Sequence, residues 1–296
     1  MRVFLTGANG WIGSAISRDL LHGGHTVVGL VRSKDKGEAF AAAGGTPLVG
    51  ELSDLDVLRR GAEDCGGVIH TAFGLDLSKI DKLAEEDSNA IDIFGVVFAG
   101  SDRPIIVTSG VFLTPPGEVF MEDARPPLPP GFPRASEQKA FALAERGLRA
   151  SVVRNPRSVH GQGESHGFVP MLAVVAREKG VSAYVGEGQN LWPSAHRLDA
   201  ARLYRLALER AGQGEAYHAI AEQGVPFRRI AEAIARQLSV PATSLTPEQA
   251  EAHFGGLAMW VAGNGPASSD WTRKTLGWEP RELDLISDIE RPDYSA

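Results

Sequence analysis

The chain has 296 residues, enough for one large domain or a domain with a smaller lobe, and its 43% apolar and 23% charged residues argue against wholesale disorder. A formal charge of −7 speaks against a nucleic-acid or anionic-membrane surface, and no apolar run approaches membrane-spanning length. The single cysteine, Cys65, excludes an intramolecular disulfide framework and points to a reducing compartment; with Met1 to Leu5 running straight into a glycine turn, unlike a signal peptide, the expectation is a cytoplasmic protein.

In chain order, Val3 to Leu5, Val27 to Val31, Val68 to Ile69, Ile105 to Val107 and Ser151 to Val153 read as buried strands. They lack a polar face, as a parallel sheet covered on both sides requires. Between the first two, Ile12, Ala15, Ile16 and Leu20 share one helical face, and Gly23-Gly24 stops the helix. Strand, glycine turn, helix and strand make a βαβ unit, and the repeated alternation predicts a doubly wound α/β fold.

Glu85-Glu86-Asp87 reads as an exposed helix face. The proline-rich stretch from Thr114 to Pro133 reads as a loop over one end of the sheet. A helix from about Arg134 to Gly147 and a strand ending near Arg154 follow, and a helix around Ala200 to Ala211 returns to the main domain. The predicted division is 1–160 with 194–221 for the main domain, and 161–193 with 222–296 for a smaller lobe packed by Trp192, Trp260, Trp271 and Trp278. His166, His196, His218 and His253 lack metal-ligand spacing, so no metal is expected.

The strongest motif is Thr6-Gly7-Ala8-Asn9-Gly10-Trp11-Ile12-Gly13. Gly7 permits a tight turn, Gly10 lets backbone approach a pyrophosphate, and Gly13 lets helix pack closely on strand. The phosphates then meet free N–H groups at the helix N-terminus, with Asn9, Trp11 and Ile12 around them. At the end of the second strand a site for NAD places an acid to hold the ribose 2′-hydroxyl. Here stand Arg32, Ser33 and Lys34, with no acid before Asp35. Arg32 suits a 2′-phosphate by charge and paired donors, with Ser33 and Lys36 assisting, so NADP(H) is the expected cofactor.

With these residues the sequence resembles the extended short-chain dehydrogenase/reductases, the superfamily of NAD-dependent epimerases, dehydratases and related reductases, over nearly its whole length. Gly50-Glu51-Leu52-Ser53-Asp54 is similar to the family's adenine-contact turn, and Val68-Ile69-His70-Thr71-Ala72 to the strand beside the cofactor. Arg154 to Gly161, His196 to Ala201 and Leu276 to Pro280 match three further segments. The resemblance implies a Rossmann-type doubly wound sheet with a C-terminal substrate-capping lobe. It implies cofactor contacts at Glu51, Leu52, Thr71, Ala72, Thr108, Lys139, Asn155 and Arg157.

The family's catalytic set is Ser or Thr with Tyr and Lys as YxxxK, and here the pattern breaks. Lys139 fits the lysine, but four residues earlier stands Ala135, the usual serine position is Gly110, and no tyrosine occurs between Met1 and Val181. An alanine exchanges no proton, so the alcohol–ketone mechanism does not carry over intact. Ser109 then stands for polarising the acceptor and His160 for supplying a proton near neutral pH; the alternative for His160 is a buried, hydrogen-bonded loop histidine. Ser136, Glu137 and Arg157 are weaker candidates. Lys139 either holds the ribose or is a solvated helix lysine.

The sequence thus points to an NADP(H)-dependent reductase of a small carbonyl, imine or activated alkene with a proton donor other than tyrosine. The alternatives are an epimerase or dehydratase and a non-catalytic NADP(H)-sensing protein. The expected partner is a small-molecule substrate, neither nucleic acid nor membrane, with a homodimer compatible.

Overall fold

The computed structural model describes residues 1–74, 76–128, 133–165 and 167–291; His166 and the Pro129-Pro130 pair of the proline-rich stretch lie outside the described residues. The chain opens β1 (Arg2–Thr6), α1 (Trp11–His22), β2 (Thr26–Val31), α2 (Lys34–Ala42), β3 (Thr46–Val49), α3 (Leu55–Glu63), β4 (Gly67–His70), α4 (Ile80–Val97) and β5 (Ile105–Gly110). Next come α5 (Ser136–Glu145), β6 (Ala150–Asn155), β7 (Ser158–His160), α6 (Phe168–Lys179), β8 (Ser182–Val185), β9 (Leu191–His196), α7 (Arg197–Arg210) and β10 (Ala216–His218). The last part holds β11 (Glu222–Pro226), α8 (Phe227–Leu238), β12 (Ala242–Leu245), α9 (Pro247–Phe254), α10 (Ala258–Ala262), α11 (Asp270–Leu276) and α12 (Leu285–Ile289).

Seven strands form one sheet in the order β10-β6-β5-β4-β1-β2-β3, every pair parallel. Alternate side chains explain the two layers of helices. Val3, Leu5, Ile69, Ile106 and Val153 face α1 and α7, meeting Ile16, Leu20, Leu203 and Tyr204. Phe4, Val68, Ile105, Val107 and Val152 face the other way, onto Leu58, Ile91, Phe94 and Leu143 of α3, α4 and α5. The strand order reverses direction between β1 and β4, which opens a crevice at the carboxyl ends of those strands. The expected strands and the helices at α1, α5 and α7 are all present. The edge strand β3 was not legible, because Thr46, Pro47 and Val49 are exposed and give no buried apolar run.

A second core belongs to the C-terminal part. Trp192 packs with Phe227, Ile230, Ile234, Phe254, Val261 and Leu285, with Trp260 against the cluster. Around it lie a three-stranded sheet, β11-β9-β7, and the parallel pair β12-β8. Two of the four tryptophans depart from the expectation. Trp278 packs with Leu276 in the main core against α7, its Nε1–H donating to the Asp199 carbonyl at 2.9 Å. Trp271 stacks on Tyr217 of β10, ring centres 5.2 Å apart. The reason lies in Asp199: its carboxylate also accepts from the Arg281 and Glu282 backbone N–H groups, at 2.8 and 3.1 Å, and draws the chain after α11 back onto the main body. We propose the two-unit division given above with residues 270–282 crossing back.

Among the described residues no helix is long and apolar enough to cross a membrane, and no three His, Cys, Asp or Glu side chains stand together as a metal site. Cys65 is buried, and burial pushes its thiol up to about 11, which leaves it inert at neutral pH.

Candidate functional site

The turn after β1 has the form a dinucleotide needs. Gly7 sits at φ +70°, and a Cβ there would stand 2.6 Å from Thr71 Oγ1. At Gly13 a Cβ would come within 2.0 Å of the Gly7 carbonyl oxygen, so only glycine lets α1 lie this close to β1. Gly10 caps α1 through backbone alone, and no acid occupies the first turn, so the helix offers its positive end and its free N–H groups, Ile12 among them. These residues fit a diphosphate. Asn9 donates to the Lys36 carbonyl at 3.0 Å and ties the turn to α2. Trp11 donates from Nε1 to the Val159 carbonyl at 2.6 Å under the Arg197 guanidinium, 4.1 Å from the ring centre; it braces the turn against β7 and α7.

At the end of β2, Arg32 is exposed, with no hydrogen bond or ion pair to another described residue. Ser33 is committed to structure: its Oγ caps α2, accepting from the Lys36 N–H at 3.4 Å. Glu51 and Leu52 lie in the turn that leads to α3, closed by an Asp54 N–H to Glu51 carbonyl bond at 3.1 Å and by Asp54 capping that helix. Leu52 packs on the core while Glu51 is exposed.

Between the ends of β4, β5 and β6 runs a polar network that sequence reasoning missed. Asp87, expected on an exposed face, is fully buried. Its Oδ1 accepts from His70 Nε2 at 3.2 Å, and its Oδ2 from Ser136 Oγ at 2.6 Å. His70 Nδ1 meets Thr6 Oγ1 at 2.7 Å, and that hydroxyl also accepts the backbone N–H groups of Thr71 and Ala72. Thr71 and Ala72 thereby fix the loop beside Gly7. Burial pushes the Asp87 carboxyl up, but the His70 bond and charge, the charge of Arg134 and the Ser136 bond together outweigh it and hold the acid below its ordinary range.

Arg134, which precedes Ala135, closes the network. It donates to Ser136 Oγ at 2.8 Å and to the Thr108 carbonyl at 3.1 Å, and its guanidinium carbon stands 3.9 Å from the Phe73 ring centre. Tyr204 arrives from α7, with its hydroxyl 2.8 Å from Thr108 Oγ1 and 2.9 Å from Asn155 Nδ2. Burial pushes that phenol up to about 12, so it stays protonated and shut in the interior. The side chains of Thr108 and Asn155, expected at the cofactor, are thus tied to Tyr204. Removing the hub has a large expected cost: Asp87→Ala strands His70, Ser136 and Arg134 and should cost about 3–5 kcal/mol in urea denaturation. A loss below about 1 kcal/mol would show the network to be dispensable.

The structure separates the three expected catalytic residues. Ser109, the last residue but one of β5, is half-exposed, its hydroxyl without a hydrogen-bond partner among the described residues. Lys139 instead pairs with Asp92 of α4, Nζ to Oδ2 2.5 Å. Its contact is with the neighbouring helix. His160 is fully buried, Nδ1 2.8 Å from Asp288 Oδ2 of α12, its ring edge-on to His196. A side chain without accessible surface delivers no proton to a substrate from there. The buried-histidine alternative holds, and His160 ties β7 to α12.

Arg154 anchors the proline-rich stretch. It grips Glu137 through two bonds of 2.6 and 2.8 Å, donates to the Ala124 carbonyl at 2.6 Å, and reaches His218 Nε2 at 3.1 Å. Glu137 is therefore a buried structural partner. Ser136, too, is spent on Asp87.

The comparisons agree with this geometry. The family model described as NAD(P)H-binding matches residues 7–169. An uncharacterised protein of Schizosaccharomyces pombe is 45% identical over 295 residues, covering 99% of this chain and 100% of that one. The 4-hydroxy-2-methyl-3-oxo-4-farnesyl-3,4-dihydroquinoline-1-oxide ketoreductase of Stigmatella aurantiaca is 28% identical over 228 residues, covering 73% of this chain and 67% of that one. The NAD-bound dTDP-glucose 4,6-dehydratase DesIV of Streptomyces venezuelae shares the fold, with a TM-score of 0.77 at 18% identity over 99% of this chain and 95% of that one. A glycine turn built for a diphosphate, a seven-stranded parallel sheet and a family match beginning at Gly7 converge: the chain belongs to the NAD(P)H-binding family, and its fold is the one seen in the NAD-bound dTDP-glucose 4,6-dehydratase.

Proposed function

We propose that the protein is a cytoplasmic NADP(H)-dependent reductase of a small carbonyl, imine or activated alkene that works without a catalytic tyrosine. The observation that carries the reading is Arg32, an exposed guanidinium at the end of β2 with no hydrogen bond or ion pair among the described residues, where no acid stands to hold a ribose 2′-hydroxyl. When bound, the nicotinamide supplies the hydride. The half-exposed Ser109 hydroxyl donates to the acceptor atom of the substrate, and the nearby Arg134 favours the negative charge that grows there. The completing proton comes from water, which reaches the exposed Gly110 beside it. The ketoreductase among the relatives supports reduction of a carbonyl. Transient oxidation, as an epimerase or dehydratase requires, fits less well, because Ala135 and the paired Lys139 leave no base for an alcohol proton.

Calorimetric titration with NADPH and NADH tests this. NADPH should bind at least about tenfold more tightly, and Arg32→Ala should remove that preference, a loss of roughly 1.5–3 kcal/mol on NADPH alone. Equal weakening of both nucleotides would end the assignment of Arg32. Failure of both to bind the native protein would end the reductase reading. Binding without NADPH consumption across a panel of ketones and aldehydes would favour the sensing alternative.

A further inference from the structure

Beyond Ser109 the chain leaves the main sheet and meets the C-terminal lobe. Val111 still donates to the Asn155 carbonyl of β6 at 3.0 Å; three residues on, the Thr114 N–H donates to the Asn264 carbonyl at 2.9 Å. Between them Leu113 reaches Gly263, where a Cβ would stand 2.7 Å from Leu113 Cδ2 and 3.0 Å from the Met259 carbonyl oxygen. This junction is held from within. The Gly263 carbonyl accepts from Asn190 Nδ2 at 3.0 Å and from Arg157 Nη1 at 3.2 Å. Arg157, expected at the cofactor, thus contacts the lobe. Its Nε and Nη2 are enclosed, and its guanidinium carbon lies 5.4 Å from the Trp192 ring centre. Burial alone pulls the group down to about 10.

The outer surface of the junction is apolar. Leu113 is 40% exposed and Met259 63%. The half-buried Trp260 tilts against Phe168, ring centres 5.7 Å apart. Neither segment carries a charge: none lies from Val111 to Gly117, and none from Phe254 to Ser269. Exposed apolar side chains gathered in one place gain free energy when something covers them, and such a patch marks a contact. Its position names the contact. Leu113 follows Ser109 by four residues, so their Cα atoms stand at most about 14 Å apart, within the length of a small molecule. A substrate bearing a diphosphate or a carboxylate would find no cation on either segment to pair with it.

We propose that Leu113, Met259 and Trp260 form the substrate lip of the Ser109 site, and that the acceptor is a ketone or aldehyde whose far side is an uncharged hydrocarbon group. This rests on the reductase reading for the reaction, while the lip stands on the apolar surface itself. The carbonyl carbon takes the hydride of NADPH and its oxygen a proton from water, leaving the alcohol, NADP+ and hydroxide. The hydrocarbon group takes no part in those bonds. It adds affinity in proportion to the area it withdraws from water, up to about fourfold per methylene.

The test assays the full chain with NADPH and straight-chain methyl ketones from butanone to octanone, and with oxoheptanoate, which is heptanone carrying a carboxylate at its far end. kcat/KM should rise about two- to fourfold with each methylene, and oxoheptanoate should fall at least about tenfold below heptanone. Met259→Ser and Leu113→Ser should each cut the octanone-to-butanone ratio at least about threefold. That ratio is internal to each variant, so the amount of folded protein does not move it, and either variant carries the test if the other does not fold. A flat series, oxoheptanoate as good as heptanone, or an unchanged ratio in the serine variants would each overturn the proposal. Calorimetric titration with the same ketones in the presence of NADP+ reads binding without turnover. Tighter binding of the longer ketones, lost in the serine variants, with no NADPH consumed would leave the lip standing and the reductase reading fallen. NADPH consumed equally with short and long ketones would do the reverse.

Discussion

Gly13→Val is expected to abolish NADPH and NADH binding together. Even a bare Cβ at this position would sit 2.0 Å from the Gly7 carbonyl oxygen and 2.8 Å from its carbon, both backbone atoms with nowhere to swing. Valine therefore pries α1 away from the turn, and the N–H groups that cradle the diphosphate move with it. Overpacking of this kind should also cost about 1–3 kcal/mol of stability. Gly10→Ala separates the two effects. Its Cβ would meet only the Gly7 oxygen, at 3.1 Å, so the chain should fold while the added methyl intrudes where backbone must approach the diphosphate. Calorimetric titration with thermal melts on both variants decides the matter. Nucleotide affinity within about threefold of the native value in Gly13→Val would mean that this turn is not the cradle.

The protein should also be acid-labile well above the range of its carboxylates, and His218 is the reason. This residue is fully buried; Nδ1 lies 2.7 Å from the Ser268 carbonyl, and the Arg154 guanidinium sits against Nε2. The carbonyl requires a proton on Nδ1, and Arg154 requires a lone pair on Nε2, so the ring is neutral. Burial first, then the charge of Arg154, push it down from 6.5 to about 3. Above pH 6.5 neither folded nor unfolded chain protonates it. Between about 6.5 and 3 the unfolded chain takes up a proton that the folded chain refuses, so stability falls as pH falls. The slope approaches about 1.4 kcal/mol per pH unit and the whole interval amounts to roughly 4–5 kcal/mol. Asp87, whose carboxyl is held low in the fold, adds a further loss below about pH 4. Urea denaturation at pH 4, 5, 6 and 7 should show the slope, and His218→Gln should flatten most of it between pH 6 and 5. An unchanged slope in the variant would place the acid sensitivity elsewhere.

The amino-acid sequence by itself determined the sheet and the nucleotide turn, for a local reason. A buried strand flanked by helices on both faces must be apolar at every position, so Val27 to Val31 or Ile105 to Val107 announce themselves, and Gly7, Gly10 and Gly13 are needed by the turn they occupy. Arg32 was legible because the end of β2 is fixed by the same unit. Where the signal was weaker, the reading failed: β3 is an exposed edge carrying Pro47. Only the tertiary structure decided the polar residues, because a charge is exposed or buried according to partners that lie far along the chain. Asp87 reads as solvated beside Glu85 and Glu86, yet it is enclosed by His70, 17 residues away, and Ser136, 49 residues away. His160 is paired with Asp288, 128 residues on, and Lys139 with Asp92. Arg157 shows the converse, since its isolation appears only once Trp192 and Gly263 are folded around it. Periodicity and backbone demands are written in neighbouring residues; desolvation and charge pairing are set by whatever long-range packing brings together.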